Sequence, residues 1–289
     1  MKKYFTFAAL AIALASCSNE EIVPQESLKD TPITVTAGVA ELTTRAGYEG
    51  TTTLPGTFYF SIDQDGETYD YTNVVMTKGS GNAYTTSPSI LWAGSSTAPT
   101  VSAYTTAGTD FAVQTYQKDL YHVEASDLLG AISSNDVTIN GSAISLIFRH
   151  LLCKLDVTYS WGTELSSIQG KSITSVEYQG FGTNVTLDRT TSAVTAGSAT
   201  GSITAYVNDN KSEAIFAPQV NNPKIVIVVT INGVDRTFTV NVTAPQGGFV
   251  AGKRYTMNVA IGGTAVSSTS ASIANGWTSG KENGTMTTN

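Results

Sequence analysis

From Thr31 onward the chain alternates apolar and polar residues in short bursts. Ile33, Val35, Ala37 and Val39 are separated by Thr34, Thr36 and Gly38. A period of two marks a strand with one buried face. Residues 57–62 and 68–76 form the next pair, with Asp65-Gly66 as a hairpin turn between them. Further strands are predicted at 89–92, 100–105, 112–116 and 136–139, with one helical turn at 127–129. Residues 143–159 read as a single long strand. Its apolar phase changes between Phe148 and Leu151, which predicts a bulge or bend near His150. Strands follow at 172–178, 184–187, 202–206, 213–216, 224–231, 236–242 and 254–261. Asn232-Gly233 gives the strongest hairpin signal in the chain. No long segment carries the helical period. The pattern predicts an all-β protein of two β-sandwich domains in tandem, joined near residue 140.

The two ends break this pattern. Lys2 and Lys3 precede an apolar run at 4–15, too short to span a bilayer, which reads as a secretory signal. It ends in Leu14-Ala15-Ser16-Cys17, which resembles the bacterial lipobox and makes Cys17 the expected lipidation site. Ser18-Asn19-Glu20-Glu21 resembles a surface-export signal of some Gram-negative bacteria, and residues 18–31 read as a polar tether. Past Gly262 the chain is rich in Ser, Thr and Gly, yet Ala265, Ala271, Ile273 and Trp277 keep to odd positions. They predict a weak extended strand with one apolar edge. Arg45 stands in a stretch of small and polar residues that a protease can enter.

Composition narrows the function. The chain is 13% charged with a net charge of −7, and its pI is about 4.8. Binding of nucleic acid through a basic surface is excluded, because no excess of Lys and Arg exists to neutralise phosphates. With Cys17 acylated, Cys153 is the single remaining thiol, so the core alone must stabilise the fold. No metal, nucleotide or hydrolase motif is present, and no cofactor is expected. His150 and Cys153 are the one tempting catalytic pair, but three residues apart on a strand they point to opposite faces. Asp63, Asp65, Glu67 and Asp70 give a faint calcium-loop pattern, better read as a hairpin. Trp92, Trp161 and Trp277 are candidates for a glycan platform or for packing. The chain is not expected to be an enzyme.

Several phrases, in their order and spacing, resemble the fimbrillin family of lipoprotein (type V) pilins. They are Thr43-Thr44-Arg45-Ala46, Ile90-Leu91-Trp92, Val101-Ser102-Ala103-Tyr104, Phe148 to Leu155, Ile215-Phe216-Ala217-Pro218-Gln219 and Phe249 to Tyr255. Leu152 and Cys153 depart from the small residues common there. The resemblance implies two transthyretin-like β-sandwich domains, at 46–140 and 141–262. Before them come a signal peptide at 1–16 and a lipidated, removable segment at 17–45; after them comes a candidate donor strand within 263–289. It also implies export as a lipoprotein held in the outer membrane and cleavage between Arg45 and Ala46 by an Arg-specific protease. The first strand (Ile33, Val35, Ala37, Val39) is then replaced by a strand from another subunit, giving an extracellular fimbrium used in adhesion and biofilm formation. Burial of Ile33, Val35 and Val39 is expected to contribute on the order of 5–9 kcal/mol before entropy. The alternative is a monomeric cell-surface lipoprotein that binds glycan or a host protein.

Overall fold

A computed structural model describes residues 28–40, 55–64, 68–133 and 136–274. The first half contains β1 (Thr34–Val39), β2 (Thr57–Asp63), β3 (Tyr71–Lys78), β4 (Ala83–Thr85), β5 (Thr100–Tyr104) and β6 (Asp110–Ala112). After a short helix, α1 (Leu120–Ala125), come β7 (Leu129–Ile132), β8 (Val137–Asn140) and β9 (Ala143–His150). Hydrogen-bonded neighbours run β1-β4-β3-β2-β5-β7-β9-β8, and β1 also pairs with β9. Seven strands therefore close into a ring, with β8 flanking β9. Closure removes the exposed edges that an open sheet would leave. The all-β class holds, but the first unit is a sheet closed on itself rather than the expected sandwich.

The period-two pattern explains the barrel's core. Phe58, Phe60 and Ile62, Val101 and Ala103, Leu129 and Ala131, and Ile144, Leu146 and Phe148 all point inward, into one cluster. The rings of Phe58, Tyr84 and Phe148 meet at centroid distances of 4.6 and 5.1 Å.

The expected long strand at 143–159 is two strands in two sheets. β9 belongs to the barrel and β10 (Cys153–Trp161) to the second unit. Leu151 and Leu152 are both buried, because the chain has core on either side as it crosses. The phase change marks that passage, so the boundary expected near residue 140 lies between His150 and Cys153. Residues 89–92 form only an isolated bridge, at Leu91.

The second unit continues with α2 (Thr163–Ser166), β11 (Lys171–Gly182), β12 (Asn184–Leu187), β13 (Val194–Ala196), β14 (Thr200–Thr204), β15 (Tyr206–Asn208) and β16 (Lys211–Phe216). It ends with β17 (Lys224–Ile231), β18 (Val234–Asn241), β19 (Arg254–Ile261), β20 (Val266–Ser268) and β21 (Ser272–Ile273). One sheet runs β15-β16-β10-β19-β20, with β21 also on β19; another runs β14-β11-β17-β18. Their buried residues form a single core. Asn232 and Gly233 both have positive φ, as the predicted tight hairpin between β17 and β18 requires. The two units are bonded to each other. β6 pairs with β12, and the Gln117 side chain donates to the Ile215 carbonyl (2.7 Å) and accepts from its amide (2.9 Å).

Candidate functional site: a strand slot in the amino-terminal barrel

Residues 30–40 are held along their whole length. The Asp30 amide donates to the Trp92 carbonyl, the Trp92 amide to the Thr31 carbonyl and the Ile33 amide to the Ile90 carbonyl, all within 3.0 Å. β1 then pairs antiparallel with β4 (Val35 opposite Tyr84) and parallel with β9 over six positions, from Thr34–Ala143 to Val39–Phe148. Ile33, Val35 and Ala37 are 7, 1 and 4% exposed. Val39 is only partly buried, because it lies at the end of the strand. The burial estimate therefore falls to two large side chains, roughly 3–6 kcal/mol. Small and β-branched residues in alternation give a strand that fills a gap between two neighbours, and no helix competes with it.

Gln64 braces the same end of the barrel. It is buried, its amide group donates to the carbonyls of Tyr69 (2.7 Å) and Leu91 (2.9 Å), and its Oε1 accepts from the Ala93 amide (3.0 Å). Those bonds fix the segment on which residues 30–33 pair. The sequence carries no signal for this role, since a Gln within Asp63-Gln64-Asp65 reads as turn. The Tyr84 hydroxyl donates to the Pro55 carbonyl at 2.6 Å, and burial pushes its pKa up to about 12. Tyr69 donates to Asp30 at 2.6 Å, a bond that raises the phenol's pKa.

Cys17, Arg45, Ala46 and Trp277 lie outside the described residues. Arg45 and Ala46 fall in the stretch of sequence linking β1 to β2. The predicted extended tail is two short strands, both antiparallel to β19: Ile261 is opposite Val266, and Tyr255 opposite Ile273. Ala265 is exposed, Ala271 is 4% exposed and Ile273 is 50% exposed. The Ala271 amide donates to Thr243, and the Ala274 amide to Arg254.

The other candidates are not brought together. His150 Nδ1 lies 3.0 Å from Asp127 Oδ1, whereas the Cys153 thiol donates to the Val250 carbonyl at 3.1 Å. Burial pushes that thiol's pKa well up, away from the reactive thiolate. Asp70 accepts from the Gln64 amide at 2.8 Å, Asp65 and Glu67 lie outside the described residues, and no metal-ligating cluster exists among the described ones. Trp92 is core, its indole donating to the Ser142 carbonyl at 3.2 Å. Trp161 lines a cleft of about 550 Å³, with the Lys171 ammonium 5.8 Å from its ring centre.

A family model described as fimbrillin-like matches residues 44–277. A candidate fimbrium subunit of Bacteroides uniformis, Fim1C, is 28% identical over 173 residues. That match takes in 55% of this chain and 53% of the relative, about half its length. A crystal structure of a candidate cell adhesion protein from Bacteroides uniformis superposes with a TM-score of 0.62 at 20% identity, covering 86% of this chain and 99% of that one. A second, from Bacteroides ovatus, gives 0.61 at 15% identity, covering 87% and 99%. At such identities the two structures speak for the fold. The family match, which takes in most of the sequence and begins just after β1, places the chain in the fimbrillin-like family.

Proposed function

We propose that the protein is a fimbrial structural subunit that reaches the outer membrane as a lipoprotein acylated at Cys17. An Arg-specific protease hydrolyses the bond between Arg45 and Ala46, which releases the lipid anchor and turns β1 into a separate peptide. A strand from another subunit then takes the place of β1, and the subunits polymerise into an adhesive fibre. The pairing of β1 carries this reading: it supplies buried side chains and two strand ladders, yet only residues 40–56 tie it forward to the barrel. Without it, β4 and β9 would expose unpaired backbone groups beside an apolar groove, a template for strand addition. A head-to-tail contact of that kind does not close on itself, so it builds filaments. The start of the family match at residue 44 also supports a mature chain that begins near Ala46.

Intact mass and electrophoresis test the reading. Cells expressing the native chain together with its neighbouring subunits are expected to yield material beginning at Ala46 in SDS-resistant ladders. Arg45→Ala is expected to leave a folded, lipidated monomer. Ladders formed by that variant would overturn the proposal. The Trp161 cleft favours a second reading, a monomeric surface protein that binds glycan. A chain that is cut after Arg45 and stays monomeric beside its neighbouring subunits would select it.

A further inference from the structure

We infer that the slot occupied by β1 is built for the strand of a different subunit, and that residues 264–289 of a second copy of this chain do not fill it. The inference rests on the strand-exchange reading above and names the partner's chemistry.

The slot sets a pattern. Ile33 and Val35 place two large apolar side chains, two residues apart, into the cluster that holds Phe58, Tyr84, Ile90, Trp92, Ile144 and Phe148. Ala37 follows with a small one, opposite Leu146. Protein cores are packed to crystal density, so a strand that leaves either large position empty loses contacts that nothing replaces. The occupant must therefore carry large, large and small apolar residues at alternate positions.

Residues 264–289 carry no such run in either direction. Val266 has Thr264 and Ser268 two residues away, and Ile273 has Ala271 and Asn275. Trp277 has Asn275 and Ser279, and Met286 has Gly284 and Thr288. No two large apolar side chains in this segment stand two residues apart. A second observation points the same way. Residues 266–268 and 272–273 are already paired on β19 of their own chain, with Ala271 buried and the amides of Thr269, Ala271 and Ala274 bonded to the carbonyls of Asn258, Thr243 and Arg254. Moving this segment into a neighbour's slot would break those bonds and bury at most one large side chain in return. Of Ala265, Ala271, Ile273 and Trp277, expected from the sequence to form the donor strand, Ala271 and Ile273 thus fit their own sheet better than the slot, and Trp277, outside the described residues, has no large apolar residue two positions away.

The full-length chain, cut after Arg45 with an Arg-specific protease, provides the test. Two synthetic peptides serve as probes: residues 31–40, and residues 264–278. The cut protein alone is expected to form no SDS-resistant ladder. Fluorescence anisotropy is expected to show the 31–40 peptide binding at least 100-fold more tightly than the 264–278 peptide. A third peptide, 264–278 with Thr269→Ile, Ala271→Val and Ile273→Ala, restores the large-large-small pattern and is expected to recover most of that difference. Ladders from the cut protein alone, or equal affinity of the two natural peptides, would overturn the inference and leave the slot reading standing. Failure of the 31–40 peptide to bind at all would overturn strand exchange itself, and the inference with it.

Discussion

β1 and the pair β20–β21 are both short, both rich in small and hydroxylated residues, and both lie near a chain end. They differ in what surrounds them. β1 has a strand on each side and, with Ile33 just before it, sends three side chains (Ile33, Val35 and Ala37) into the core. β20 and β21 pair with β19; Ala271, between them, is buried, and Val266 of β20 is partly so. The hydrogen-bond pattern of a strand costs little to form or lose at an edge, since water replaces the lost partners. In the middle of a closed sheet, the same loss strands two ladders and opens a groove. An exchangeable strand needs the second setting: it must be held tightly enough to keep the precursor folded, and it must leave behind a site worth filling.

A charged side chain would expose that contrast most sharply. Val35→Asp puts a carboxylate without a partner into the barrel core and is expected to destabilise that unit by about 4 kcal/mol or more. Hydrogen exchange should show protection lost in β4 and β9, while β17 and β19 keep theirs. Ile273→Asp, on a half-exposed side chain, is expected to shift stability by about 0.5 kcal/mol or less. Equal effects at the two positions would remove the distinction between slot and edge.

High pH should separate the two units in the opposite order. Burial raises the pKa of Tyr255 to about 12 and pushes those of Tyr159 and Tyr178 well above the usual phenol value. All three phenols belong to the second unit; the barrel has Tyr84, also raised to about 12, and Tyr104 and Tyr69, raised as well. A phenol whose pKa is raised on folding contributes stability that is whole below about pH 10 and is lost as pH rises through its folded-state value. The second unit, whose Tyr159 and Tyr178 are buried deep in its core, is expected to lose protection before the barrel as pH rises above about 10. Tyrosinate absorbance followed beside hydrogen exchange would show it. Loss from the barrel first would contradict the assignment of buried phenols.

Much of the barrel was legible in the sequence because its residues obey one rule. Ile33, Val35 and Ala37, and Ile144, Leu146 and Phe148, alternate cleanly, and alternation reports which side chains face a core. It does not report how many sheets enclose that core, so a closed ring was read as a sandwich. Nor does it mark a crossing between units when both faces stay apolar. At Leu151 and Leu152 the pattern gave a bend, where the chain in fact leaves one sheet for another. The tail was harder for a similar reason. Odd-numbered apolar positions from Ala265 to Trp277 suggested one strand, but a set of mostly small residues fixes neither register nor partner. Gln64 was invisible because two of its three side-chain hydrogen bonds reach Leu91 and Ala93, far along the sequence, and local composition at Asp63–Asp70 speaks only of turns.

The smallest expected effect concerns the tail as a whole. Ending the chain after Gly263 removes β20 and β21 and the amide bonds at Thr269, Ala271 and Ala274. Each such bond contributes about 1 kcal/mol net. Ordering the tail costs backbone entropy, which opposes that gain. Ala271 is the one fully buried apolar side chain among the tail's described residues and Val266 is partly buried, so the tail adds little net stability. Thermal unfolding of the truncated chain is therefore expected to differ by no more than a few degrees, with the barrel's exchange protection unchanged. A drop of ten degrees or more would mean that the tail closes the second unit as β1 closes the first. The asymmetry between the two strands, and the case for a donor from another subunit, would fall together.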